Sequence, residues 1–389
     1  MLRSRRITTV FLACWLILTF AASTAQARQG HSPQFAATPA AAEGDGWRIV
    51  GIQVLDERIT PVALSPDGQW IAGIDEEDRF CVWDAATLEP ACDAGELPIH
   101  LESITWAPDS AAVAWSLDAF RTFEESDIFV FELETGTSVN LTDDGIEGML
   151  GGPGGAVPID VLPAWSADSQ SLTFARSEWT PEQHQTELMT IARAGGEPEP
   201  RHTVATDASL SISTPMYSLA NGSLLYAVTW DEPKRGIWLL EANGATRQVL
   251  PGATTPVIVD VVESGNGTLI SAYSQSPASE FAPDDPFTLV LGHESGDVTP
   301  LVHPDDAAIL LQPAGFSPDG SSTISVALGR RGFELVALGP ETSVTLLPEP
   351  VGIAHGTLGL RAAPEWVGNT ILVSGFAPGG YLVTVEPAP

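Results

Sequence analysis

The tetrapeptide Ser-Pro-Asp-Gly occurs twice in this chain, at 65–68 and 317–320, each time directly before an apolar run. Pro66 and Pro318 preset the φ wanted at the first corner of a turn. Asp67 and Asp319 can bond backbone two residues on, and Gly68 and Gly320 accept positive φ. Apolar, β-prone residues flank both copies, as in VALSPDGQWIAGI. The pattern predicts a β-hairpin with a tight turn.

Looser copies lie between them: SITWAPDSAAVAWS, PAWSADSQSLTFAR, PMYSLANGSLLYAV, VVESGNGTLISAY and, last, PEWVGNTILVSGF. With Ser65, Ala107, Ser166, Leu219, Ser264, Ser317 and Val367 as markers, the intervals are 42, 59, 53, 45, 53 and 50 residues. Each unit continues with a second apolar strand, a polar loop, a third strand such as RFCVWDAATL or GIWLLEANG, and a short fourth. A period of this length signals an array of like units, each unable to bury its apolar face alone.

Aromatic-Ser-Pro-Asp-Gly, apolar strand, loop and apolar strand ending near Gly resembles the WD40-like propeller repeat of TolB-type proteins, over residues 47 to 386. The expected fold is all-β: a seven-bladed β-propeller of four-stranded antiparallel blades. The last unit supplies only three strands, and Trp47–Leu55 (WRIVGIQVL) is an extra apolar segment ahead of the first. It is therefore expected to close the last blade by pairing with 381–385, which satisfies an otherwise bare sheet edge. The resemblance brings no partner with it. TolB carries an α/β domain before its propeller, and some related families carry a serine-peptidase domain after it; this chain is expected to have neither.

Residues 1–27 read as a Sec-type signal peptide: a basic MLRSRR, an apolar run from Ile7 to Ala22, and Ala25-Gln26-Ala27 as a small-x-small cleavage site. An uncleaved anchor is the rival, but the run is short for a span. Residues 28–46 read as a flexible tether, and 47–389 as the propeller. The expected product is secreted or extracytoplasmic, free of the membrane once the leader is cut, and monomeric.

The formal charge is −33, from 17 basic and 50 acidic residues. Loss of the leader removes three arginines and no acid. Such a surface repels nucleic acid and anionic lipid. Export also bears on the cysteines. Cys81 and Cys92 are the two outside the leader, and a turn near Ala86 and Thr87 sets them opposite each other on the third and fourth strands of the first unit. Opposed residues of an antiparallel pair lie at disulfide distance, so a Cys81–Cys92 bond is expected.

A search for chemistry is mostly negative. There is no Gly-x-Ser-x-Gly, His-Glu-x-x-His, Gly-Lys-Ser/Thr or paired CxxC, and the seven histidines are scattered. The insertion 148–158 lacks phosphate-loop spacing. Trp106, Trp165, Tyr217, Phe316 and Trp366 recur just before the turns and are expected to fill the gaps between blades. Loops joining second and third strands are acidic and aromatic. Asp75 to Asp78, Glu124, Glu125, Asp127, Asp284 and Asp285 supply the acids there. Carboxylates suit calcium, but no segment matches a calcium loop, so no cofactor is assigned and a solvated acidic rim is the preferred reading. Trp179, Trp230, Phe120, Phe123, Asp231 and Glu232 are the candidate ligand contacts on that loop face. Two functions fit: a non-catalytic binder of a protein, peptide or glycan, or an enzyme of lyase or glycosidase type using carboxylates at the channel mouth. Two buried, hydrogen-bonded acids in the channel would favour the enzyme; dispersed surface acids would favour binding.

Overall fold

A computed structural model describes residues 47–92, 99–122, 124–146, 148–149, 157–179, 184–205, 212, 214–229, 234–251, 255–264, 267–275, 284–291, 298–300, 309–310, 315–320, 322–329, 332–338, 343–347, 364–374 and 379–387. Among the described residues strands dominate, and they pair into seven antiparallel sheets. Numbered along the chain, their first strands are Ile59–Leu64, Thr105–Trp106, Ile159–Trp165, Tyr217–Ser218, Thr255–Ser264, Gly315–Phe316 and Glu365–Val367. In sheets 1 to 5 the strands follow in chain order with the first strand at one edge, and in sheet 7 Glu365–Val367 lies at the edge opposite Trp47–Leu55. Sheet 6 departs from four strands, because Ile309–Leu310 and Gly315–Phe316 both pair with Thr323–Gly329.

The sheets adjoin in a cycle. Ile59–Leu64 touches Thr105–Trp106, which touches Ile159–Trp165, which touches Tyr217–Ser218. Thr255–Ser264 meets sheet 4 and then Gly315–Phe316, which meets Glu365–Val367, and that strand returns to Ile59–Leu64. The fold is an all-β propeller of four-stranded antiparallel blades.

Closure occurs as the terminal sequences predict. Trp47–Leu55 pairs with Gly380–Pro387, with Ile49 opposite Val385 and Val54 opposite Tyr381, and becomes the outermost strand of sheet 7. Its inward residues join Trp366, Val383 and Val385 in an apolar cluster, where Trp47 meets Trp366 edge to face at 4.8 Å. In sheet 1 Cys81 stands opposite Cys92, and the two are disulfide-bonded.

The repeated turns are built as their chemistry demands, with one device the sequence reading did not draw out. Gly68 and Gly320 have φ of 71° and 68°, and each N–H closes the turn on Ser65 or Ser317. The serine hydroxyl bonds the aspartate two residues on, at 2.6 Å, and accepts the N–H five residues on, at 2.9 Å. Where Ser110 and Ser169 replace the glycine, they keep the left-handed φ, at 60° and 61°. Their hydroxyls accept the N–H of Asp67 and of Asp109 in the preceding sheet's turn, both at 3.0 Å. The looser copies are therefore links between sheets. They also place these turns together at one end of the ring, with the second-to-third-strand loops at the other.

The periodic aromatics pack between sheets. Trp106, Trp165, Phe316 and Trp366 are buried, and the Trp106 and Trp165 indole N–H groups donate to Ala63 and Thr105 carbonyls of the preceding sheet, each at 3.2 Å. Tyr217 is only half-buried.

Candidate binding channel

The first strands enclose a cavity of about 510 Å³. It extends from Glu102, Val257 and Pro364, near strand starts, to Pro66, Pro318 and Gly368 at the turns. Leu64, Ile104, Val257, Val262 and Val367 give it apolar walls, and Trp106, Tyr217, Phe316 and Trp366 give aromatic ones. Three carboxylates line it: Glu102, Asp260 and Glu365. None of its described lining residues is Lys, Arg or His.

Asp260 lies inside the apolar run VIVDVV and Glu365 opens the strand EWV, both at places where a charge is costly to bury unless it is paired or hydrogen-bonded. Each uses one oxygen to hold the next sheet. Asp260 Oδ2 accepts the Phe316 N–H at 2.9 Å, from sheet 5 to sheet 6. Glu365 Oε2 accepts the Leu64 N–H at 2.5 Å, from sheet 7 to sheet 1. Both side chains touch the solvent of the lumen but are ringed by protein. Burial accordingly pushes Asp260 up to about 6, against the pull of N–H bonds from Phe316 and Val261. Burial pushes Glu365 up to about 8, where the Leu64 N–H opposes and the charge of Asp260 adds. Burial, then the charges of Asp260, Glu365 and Glu102, raises the Tyr217 hydroxyl well above its ordinary value. At neutral pH Glu365 is therefore mostly protonated and Asp260 mostly ionised.

Two neutral groups complete the picture. The Tyr217 hydroxyl bonds no described residue. Ser271, fully buried, stands directly across the sheet from Asp260, and its hydroxyl has no hydrogen-bond partner among the described residues. Residues paired across a sheet project to the same face, so Ser271 lies on the Asp260 side.

A metal ion fits this donor set poorly. Ligands at metal–oxygen distances lie within a few ångströms of one another. Among the described residues, the one trio of His, Cys, Asp or Glu whose donor atoms gather within 4.8 Å is Asp75, Cys81 and Cys92. There the two sulfurs are bonded to each other, and Asp75 is already occupied. It accepts the N–H groups of Glu77 and Arg79 and pairs twice with the Arg79 guanidinium, so it builds its own loop.

Among the loop-face candidates, Trp179 ends a strand opposite His184, and Phe120 lies in a short helix, Ala119–Thr122. Both positions lie where the second strand of their sheet gives way to the third. Phe123, Trp230, Asp231 and Glu232 lie outside the described residues. The channel acids Asp260 and Glu365 were not singled out from the sequence, although each places a carboxylate in an otherwise apolar stretch of a first strand, as Asp160 does in sheet 3.

No protein-family model matches the chain, and no curated protein does. Solved structures do match. An oligogalacturonate lyase in complex with manganese aligns with 88% of this chain and 96% of its own, at TM-score 0.56 and 12% identity. The β-propeller domain of Myceliophteria thermophila Cps50 (Swd1) aligns with 87% of this chain and 100% of its own, at TM-score 0.53 and 12% identity. This chain is a β-propeller. TolB from Acinetobacter baumannii is a further neighbour, at TM-score 0.43 and 16% identity over 77% of the propeller chain and 62% of its own. At these identities the shared property is the fold. Propellers of this kind include both enzymes and non-enzymes, so function rests on the site.

Proposed function

We propose that this protein is an exported, non-catalytic, seven-bladed propeller that binds a basic peptide or protein segment, taking a cationic side chain into its central channel. The observation that carries this reading is the channel lining: three carboxylates and four aromatic rings, with no cation among the described residues. Aromatic faces attract ammonium and guanidinium groups, and an uncompensated buried carboxylate gains most from an arriving positive charge. Among the described residues no three channel acids gather into a chelating cluster, which favours an organic cation over a metal ion. The net charge of −33 draws basic ligands toward the surface before they dock. The acidic, aromatic loops around Trp179 and Trp230 are assigned to the remainder of the ligand. Export follows from the first 27 residues, and N-terminal sequencing of secreted protein should begin at or near Arg28.

The test is calorimetric titration with an arginine-rich hexapeptide at 0.15 M and 0.5 M salt. Channel binding should be weakened tenfold or more by Asp260→Asn with Glu365→Gln, and hardly changed by Glu76→Gln with Glu77→Gln on the surface. Equal losses in the two double variants, or binding abolished by salt alone, would reduce the interaction to the diffuse acidic surface.

A second reading has one specific observation in its favour. Two hydrogen-bonded channel acids with pKa values pushed apart are what a general acid and general base require, which is the arrangement named above as favouring an enzyme. Glu365 would act as the acid and Asp260 as the base on a neutral glycan. An acidic sugar chain such as oligogalacturonate suits this lining poorly, because its charges would meet carboxylates. The binding reading is preferred because the described lining combines these acids with four aromatic rings and no cation, which suits an incoming positive charge. Turnover of a neutral chromogenic glycoside, lost in either single variant, would reverse that preference.

A further inference from the structure

We propose that the channel exchanges a proton for its ligand: a cationic side chain enters beside Glu365, and one proton leaves that carboxyl for solvent. This deepens the reading above and depends on it. The step balances simply. A neutral carboxylic acid and a cation give a carboxylate–cation pair and a free proton, with no other reactant.

The geometry supports the exchange at Glu365 in particular. Its strand, Glu365–Val367, forms one wall of the cavity, and its single bond within the described residues comes from the Leu64 N–H. That donor stabilises the carboxylate but does not neutralise it. The titratable groups facing it are Asp260 on the first strand of sheet 5, Tyr217 on that of sheet 4, and Glu102 just before that of sheet 2. All are acids; the charge of Asp260 opposes the ionisation of Glu365, and no cation among the described lining residues compensates it. The elevated pKa of Glu365 is the consequence, and an arriving cation supplies the missing compensation. Asp260, already ionised at neutral pH, provides the attraction that draws the cation in. The Tyr217 hydroxyl, which bonds no described residue, offers a neutral acceptor on the channel wall. The outcome is a site whose affinity depends on pH, although the ligand's own charge does not change in that range.

The arginine-rich hexapeptide is titrated at pH 7 in phosphate and in Tris, whose ionisation enthalpies differ widely. Release of about one proton per peptide should appear as a difference in observed heat between the buffers. The release should fade toward pH 9.5, where Glu365 is already ionised. Across the range from about 6 to 8, affinity should rise by up to tenfold per pH unit. Glu365→Gln should abolish the buffer dependence, whereas Asp260→Asn should keep it and bind more weakly. Binding with equal heats in both buffers would overturn the exchange and leave the binding reading intact. Absence of binding at both pH 7 and pH 9.5 would overturn both.

Discussion

The seams between sheets 1 and 2 and between 2 and 3 differ in kind from those between sheets 5 and 6 and between 7 and 1. At the first pair an indole N–H donates to a backbone carbonyl of the sheet before it, Trp106 to Ala63 and Trp165 to Thr105. The turns add neutral links through Ser110 and Ser169. At the second pair a side-chain carboxylate accepts a backbone N–H of the sheet after it, Asp260 from Phe316 and Glu365 from Leu64. Both kinds join neighbouring first strands. A neutral link works at any pH and fills its space with a ring. A carboxylate link introduces a titratable group on the channel wall. The indole seams therefore act as neutral scaffold, whereas the carboxylate seams put titratable groups on the channel wall.

Removing an indole should have the larger effect. Trp106→Ala and Trp165→Ala each lose a buried ring and a hydrogen bond, at a cost of about 3–5 kcal/mol. For a domain of this size that lowers Tm by roughly 4–7 °C. The loss should be the same at pH 5 and pH 9, since nothing titrates at those bonds. Thermal unfolding at the two pH values checks this. A loss that changes with pH would mean that the neutral seams are coupled to the channel acids, and the contrast between the seams would fail.

Much of the scaffold is legible in the sequence. Turn chemistry fixes local hairpins, and the intervals between turns fix the repeat. The closing strand follows because Trp47–Leu55 is the one apolar segment left without a unit. Paired cysteines on either side of a predicted turn point to their own bond. Each of these signals is local or periodic. The site is legible only in part, because Glu102, Tyr217, Asp260 and Glu365 come from four separate units and meet only when the ring closes. The periodic reading of Tyr217 and Trp366 as gap-fillers was correct about their packing but did not register the lumen beside them. The acidic loops drew notice because acids there are numerous. Yet Asp75 spends its oxygens on Arg79 and its own turn. Isolated acids in apolar stretches of first strands were the stronger signal, since burial makes a lone carboxylate costly where a crowd of solvated ones is not.

The smaller effect belongs to Glu365, and it has a distinctive sign. In the unfolded chain a glutamate releases its proton near 4.5, whereas in the fold Glu365 keeps it to about 8. Between those values the folded protein binds more protons than the unfolded one. The contribution of Glu365 to stability is then fully present below about 4.5 and is lost as pH rises through about 8. Asp260 acts in the same sense, with its loss complete by about 6. Glutamine keeps an oxygen for the Leu64 N–H but cannot ionise. Measured as Tm of Glu365→Gln minus Tm of the unaltered protein, the difference should be near zero or negative at pH 5, climb steadily to about pH 8, and then level off. Self-repulsion of the acidic surface affects both proteins alike and cancels in the subtraction. For Asp260→Asn the climb should stop near pH 6 to 7, and for Trp106→Ala the line should stay flat. A flat line for Glu365→Gln as well would show that Glu365 is ionised throughout, and the carboxylate seams would then be no more pH-sensitive than the indole ones.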